Sequence, residues 1–259
     1  MFAPGRAASV PGFQLPFLVF GNTPGRVESS VSRWSVICDF DGTISVEDVT
    51  DSLLVRFGRP GWDVLEADWR EGRIGSRECM SGQIALLDCS RAELDAHLSA
   101  MAIDPDFPAF VAAARQADVQ LRIVSDGLAY VIRTVLARHG LHDLPTVASH
   151  LVQVGPRRWR LEFPNARADC RTASGTCKCA FAEPPATARG ARILLIGDGV
   201  SDFCVADRVD LIYARKRLLE YCLDGVRPYY AVANFKQALG LLPELLAATS
   251  AGVPAILQD

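Results

Sequence analysis

The chain has 259 residues, which at about 150 residues per domain makes room for between one and two domains and a full hydrophobic core, and excludes a small stapled scaffold. Apolar residues make up 49% and charged residues 22%, the proportions of an ordinary globular protein, so a disordered or collagen-like chain is excluded. Lys and Arg number 27 against 30 Asp and Glu, a net charge of −3 with no basic block, which speaks against nucleic acid or an anionic membrane surface and for a small molecule as the partner.

The eight cysteines are scattered rather than framed as in disulfide-rich secreted domains, which points to a reducing, cytoplasmic setting. No apolar run approaches the roughly 18 residues that a spanning helix needs, so no membrane partner is expected. The short run at residues 13–20 follows Arg6 but is interrupted by Pro16 and lacks a small-residue cleavage pattern, so export is the weaker alternative. Residues 1–30, dense in Pro, Gly and Ser, read as a poorly ordered extension.

A short β-branched run at residues 34–40 predicts a buried strand that stops at the Asp41-Gly42 turn. Residues 46–102 change to helical spacing, cut into three or four helices by breaks at 58–61 and 72–75. A helix over 107–116 follows, then a strand over 119–124 ending in Ser125-Asp126-Gly127, then a helix over 128–138 ended by Gly140. Residues 147–154 and 159–163 predict a β-hairpin. Next come a strand over 192–196 running into Gly197-Asp198-Gly199, a short helix, a strand over 211–214, a helix over 216–222, a strand over 229–232 and a helix over 235–247. This alternation predicts an α/β fold, a Rossmann-like parallel sheet with helices on both faces.

Three predicted strand ends carry polar groups: Asp39 and Asp41, then Ser125, then Asp198 and Asp202. The carboxyl ends of strands in an open parallel sheet line one crevice, so these residues converge there. Carboxylates packed that closely repel unless a cation sits among them, and a set of hard oxygens suits Mg²⁺ and phosphoryl chemistry. Taken singly, each has a plainer reading: a turn at Asp41-Gly42, an N-cap at Ser125, a helix start at Asp202. Only three of the 27 cationic residues are lysines. Lys178, within a Gly- and Cys-bearing loop, suggests a compact point charge, with a solvated loop lysine as the alternative.

Asp39-Phe40-Asp41-Gly42-Thr43, Ser125, Lys178 and Gly197-Asp198-Gly199-Val200-Ser201-Asp202 resemble, in order, the four motifs of the haloacid dehalogenase superfamily of phosphatases. The similarity runs from about Val36 to Pro243. The helical block between the first two motifs resembles subfamily IB, the phosphoserine-phosphatase-like group, with a core of residues 31–46 and 104–248 and a small helical cap of C1 type at residues 47–103. The resemblance implies that Asp39 is the nucleophile and Asp41 the general acid and base. It implies that Ser125 and Lys178 hold phosphate, with the Gly42 and Gly127 amides adding donors. It also implies that Asp198, the Asp39 carboxylate and the main-chain carbonyl of Asp41 bind Mg²⁺, with Asp202 completing the acidic site. A monomer or homodimer is expected.

Phosphoserine phosphatases carry an acidic residue nine positions after the nucleophile, where Asp48 falls, and a cap arginine for the substrate carboxylate, at whose position Gln83 stands. That departure weakens the phosphoserine reading, because glutamine cannot restore a bidentate pair. Arg73-Ile74-Gly75-Ser76-Arg77-Glu78, Gln83, Phe163-Pro164-Asn165-Ala166 and the cysteines before Lys178 are more similar to the methionine-salvage phosphatases, implying 2-hydroxy-3-keto-5-methylthiopentenyl 1-phosphate as substrate, with Gly42, Thr43, Gly127, Asp48 and Gln83 around it. A catalytically silent phosphometabolite-binding protein and dehalogenase chemistry are the competing readings. Cys170, Cys177 and Cys179 have poor spacing for zinc, so loop packing or a labile disulfide is expected. Trp62 and Trp69, seven apart, are expected to form a core stripe, with a lining for an apolar substrate tail as the alternative. The eleven Asp and Glu against six Arg over residues 47–101 are expected on a solvated face.

Overall fold

The computed structural model describes residues 34–225 and 227–247. The N-terminal extension expected for residues 1–30 lies outside them. Seven strands, β1 (Trp34–Cys38), β2 (Gln120–Leu128), β3 (Thr146–Gly155), β4 (Arg158–Glu162), β5 (Arg192–Gly197), β6 (Leu211–Ala214) and β7 (Tyr229–Ala231), form one sheet in the order β4-β3-β2-β1-β5-β6-β7. All neighbours pair in parallel except β3 with β4, the antiparallel hairpin at one edge.

The chain leaves β1 towards β2 and β3 on one side, then returns to β5, β6 and β7 on the other. That reversal opens a crevice beyond the carboxyl ends of β1 and β5, because the connections depart in opposite directions there. Alternation along each strand feeds two cores. Val36, Leu194 and Tyr213 pack on one face with α5 (Phe107–Gln116), α6 (Ala129–Ala137) and α9 (Phe235–Ala247). Ile37, Leu195 and Ile212 pack on the other with α7 (Phe203–Ala206) and α8 (Lys216–Leu223). Four helices precede α5: α1 (Val49–Phe57), α2 (Trp62–Arg70), α3 (Ser76–Ala85) and α4 (Arg91–Leu98). Their inner residues Val49, Leu53, Ile84, Leu94 and Leu98 are fully buried and continue the first core cluster.

Two sequence expectations change here. The second strand does not stop before Ser125 but runs on to Leu128. Four steps along β2 from Val124 to Leu128 face only two along β3, from Val147 to Ser149, so residues 125–127 bulge out of the ladder. Such a bulge re-aims side chains at the rim of a sheet, and α6 begins at Ala129 without a side-chain cap, so Ser125 is not an N-cap. The tryptophan stripe also fails: α2 contains no fully buried residue.

The hairpin braces the helical segment. Trp159 on β4 is 3% exposed and its indole Nε1 donates to the Cys89 carbonyl at 2.8 Å, while Arg157 at the hairpin tip pairs with Asp88 and Glu93. Trp159→Ala removes both packing and the hydrogen bond; a loss of about 3 kcal/mol or more in stability is expected, measured by urea unfolding.

Candidate active site

β1 delivers Asp39 to the crevice, where its backbone amide still reaches the Ile196 carbonyl of β5 at 2.9 Å. The Asp39 carboxylate accepts from the Phe40 amide at 2.7 Å and meets the Lys178 Nζ at 2.7 Å. Lys178 is completely buried; its Nζ also contacts Asp202 Oδ1 at 2.5 Å and donates to Ser201 Oγ at 3.0 Å. Burial alone would push this ammonium towards neutrality, but the Asp202 and Asp39 carboxylates outweigh it and raise its pKa, so Lys178 stays charged. Asp202 in turn accepts from the Asp198 and Gly199 amides, each at 3.2 Å.

Asp41 sits differently. Its carboxylate turns to the Val49 amide at 3.0 Å and towards Gly127, where a Cβ would come within 2.1 Å of Asp41 Oδ2. Burial first, then the neighbouring Asp48, pushes the Asp41 carboxyl well above the usual range. Two carboxyl groups two residues apart therefore differ, one held beside a cation and the other inclined to keep its proton, the pattern that separates nucleophile from acid.

Carboxylate oxygens of Asp39, Asp198 and Asp202 lie within 4.8 Å of one another. Asp202 is committed to Lys178 and two amides, which leaves Asp39 and Asp198 facing the crevice. Asp198 is oriented by the Thr43 hydroxyl at 2.9 Å, so buried Thr43 acts on Asp198 rather than on the cavity. The exposed Lys216 places its Nζ 2.9 Å from Asp198 Oδ2 and 3.1 Å from the Gly42 carbonyl, a sign that positive charge is favoured here. These hard oxygen donors fit Mg²⁺. Gly42 must be glycine: its φ is +68°, and a Cβ would lie 2.5 Å from Asp198 Oδ2.

A cavity of about 640 Å³ opens above these groups, with Asp39, Asp41, Ser125 and Asp198 on its floor. Trp69, Met80 and Gln83 of α2 and α3 form part of its wall, so Trp69 takes the lining position and not the core one. The Gln83 amide donates to Glu66 at 3.1 Å. Asp48 lines the cavity and caps α1 by accepting from the Asp51 amide at 2.9 Å. The Gly42 and Gly127 amides are each donated to a neighbouring hydroxyl, Ser45 at 3.2 Å and Ser125 at 3.1 Å.

Sequence reasoning missed several members. Asp51 and Glu66 line the cavity rather than a solvated face, and Arg70, Lys216 and Arg217 share its wall. Buried Asp126 accepts from Ser76 Oγ of α3 at 2.7 Å and from the Thr176 amide at 2.9 Å, tying helical segment and Lys178 loop to the bulge of β2. The signal for Lys216 was its rarity among the cations; nothing local marked Glu66.

A parallel sheet whose central strand ends in two unlike carboxyl groups beside a buried lysine has the chemistry to act on phosphate esters. Residues 36–207 match the haloacid dehalogenase-like hydrolases, and the chain belongs to that family. It is a phosphatase of that family. It is 27% identical over 213 residues, 81% of this chain and 96% of the relative, to the 2-hydroxy-3-keto-5-methylthiopentenyl-1-phosphate phosphatase of Geobacillus thermodenitrificans. To the protein of the same name from Microcystis aeruginosa it is 29% identical over 207 residues, covering 77% and 93% of the two chains. A phospho-aspartyl intermediate analogue of phosphoserine phosphatase superposes with a TM-score of 0.62 at 15% identity, covering 79% of this chain and 96% of that one, a likeness of fold.

Replacing Lys178 by Met leaves two carboxylates buried without their cation, and a stability loss of about 3–5 kcal/mol is expected in urea unfolding. Gly127→Ala drives a methyl group into Asp41; a fall in p-nitrophenyl phosphate turnover of about 100-fold is expected, with far-ultraviolet circular dichroism unchanged.

Proposed function

We propose that the chain hydrolyses a small phosphate monoester through an aspartyl-phosphate on Asp39, with 2-hydroxy-3-keto-5-methylthiopentenyl 1-phosphate as its substrate. The observation that carries the chemistry is the contrast between Asp39, held 2.7 Å from Lys178, and Asp41, whose carboxyl is raised by burial. An oxygen of the Asp39 carboxylate bonds to phosphorus as the ester P–O bond breaks, and the departing alkoxide takes the proton held by Asp41. Asp41, now ionised, accepts a proton from water as that water bonds to phosphorus and the bond to Asp39 breaks. Phosphate leaves and both carboxyl groups regain their starting forms.

Ser125 and Lys178 hold the phosphate oxygens, and the Lys178 ammonium offsets the negative charge that repels the nucleophile from the phosphate. Asp39, Asp198 and the Asp41 main-chain carbonyl would hold Mg²⁺, which supplies charge neutralisation for the phosphoryl group. The helical segment over residues 47–103 serves as the cap: Trp69 and Met80 offer a polarizable wall suited to a thioether tail, while the Gln83 amide, engaged with Glu66, presents no cation for a substrate carboxylate. The similarity to the relatives named for the methylthiopentenyl phosphate extends over 81% of this chain. We place the reaction in the cytoplasm.

A panel of phosphate esters read as kcat/KM is expected to rank the methylthiopentenyl phosphate above phosphoserine; the reverse order overturns the substrate assignment. EDTA is expected to abolish p-nitrophenyl phosphate hydrolysis and Mg²⁺ to restore it. Asp39→Asn is expected to reduce turnover to background, and Asp41→Asn to lower kcat by about two to four orders of magnitude. Activity unaffected by Asp39→Asn sinks the aspartyl-phosphate route.

A further inference from the structure

A second cluster of ligand atoms lies apart from the carboxylates. The Sγ atoms of Cys170, Cys177 and Cys204 are all within 4.8 Å of one another. Cys179 lines one cavity of about 290 Å³ beside them, and all four are free thiols. The sequence displays only a Cys-x-Cys pair and one cysteine upstream; the fourth member arrives from α7, where folding brings Cys204 across the loop.

We propose that these four cysteines form a closed zinc site. Tetrahedral zinc with Zn–S bonds of about 2.3 Å separates its sulfurs by about 3.8 Å; Cys170, Cys177 and Cys204 already stand near that spacing, and Cys179 completes the set from the wall of the same cavity. Four thiolates around Zn²⁺ carry a net charge of about −2; the same cavity is lined by Arg167, Arg171 and Arg208 and by Asp169 and Asp207, which pair with Arg167 and Arg171, so the lining itself leans positive and offsets part of that charge.

The position gives the metal a structural task. Residues 163–177 contain neither strand nor helix, a length of irregular chain that needs fixing by something other than a backbone ladder. Cys177 and Cys179 flank Lys178, and Cys204 follows Asp202 by two residues. Zinc bound to all four cross-links the two segments that carry the buried Lys178–Asp202 ion pair, holding them together from behind the crevice.

The full chain, expressed with added zinc and purified under reducing conditions without chelator, is expected to retain about one zinc per molecule by elemental analysis. Cys170→Ser and Cys204→Ser are expected to lose it, while Cys222→Ser, on the buried face of α8, keeps it. Because a cysteine variant can misfold, wild-type chain reconstituted with Co²⁺ provides an independent reading: thiolate-to-metal charge-transfer bands together with tetrahedral d–d absorption, which carboxylate-bound cobalt at Asp39 and Asp198 does not give. Titration in denaturant after metal removal is expected to find all 8 cysteines as thiols. A folded, reduced chain that takes up no zinc, cobalt without sulfur charge-transfer bands, or an intact mass showing disulfides among these cysteines overturns the proposal. None of these readouts depends on phosphatase activity.

Discussion

The ion pair that Lys178 makes with Asp39 and Asp202 organises the molecule around it. An ammonium with no solvent exposure is tolerable only where carboxylates compensate the lost hydration, and removing either side strands a buried charge. Asp39 comes from the end of β1, Asp202 from the turn after β5, and Lys178 from a loop that joins the hairpin to β5. The three therefore have to arrive at one point, and each arrival is secured separately. Asp39 is fixed by the β1–β5 ladder, Asp202 by two backbone amides, and the lysine loop by the Thr176 amide on Asp126.

Around that fixed charge the remaining groups divide by what neutralises them. Asp39 leans on Lys178, Asp198 on Thr43 and Lys216, and Asp41 on a backbone amide within a wall of other carboxylates. The last arrangement favours a carboxyl that can hold a proton, while its neighbour two residues away lies against the ammonium. The helical segment adds the roof, braced from β4 through Trp159 and from the β2 bulge through Asp126 and Ser76.

Much of this was readable along the chain. The ends of β6 and α9 and both ends of α5 fall where the periodicity places them, because strongly periodic apolar segments carry their own boundaries. Asp39, Asp41, Ser125, Asp198 and Asp202 stand out because strand ends in a parallel sheet must share one edge, and Lys178 because lysine is rare among the cations. What escaped were contacts set by distance in space. Glu66 faces the cavity because α2 docks with its polar side inward, and Trp69 follows it there. Nothing in the spacing of a helix says which face meets a cavity and which meets solvent.

The sequence by itself determined the class of fold, the order of its strands and helices, and the set of acidic and basic residues that gather at the crevice, since period and turn chemistry are local properties. Only the tertiary structure decided the rest. It carried β2 past Ser125 through a bulge and spent the Gly42 and Gly127 amides on neighbouring hydroxyls. It assigned Thr43 to Asp198 and Gln83 to Glu66, and brought Cys204 to Cys170 and Cys177. Each of these depends on which surfaces meet when the two faces of the sheet are covered, a pairing that hydrophobic burial selects globally and that no short stretch of chain encodes.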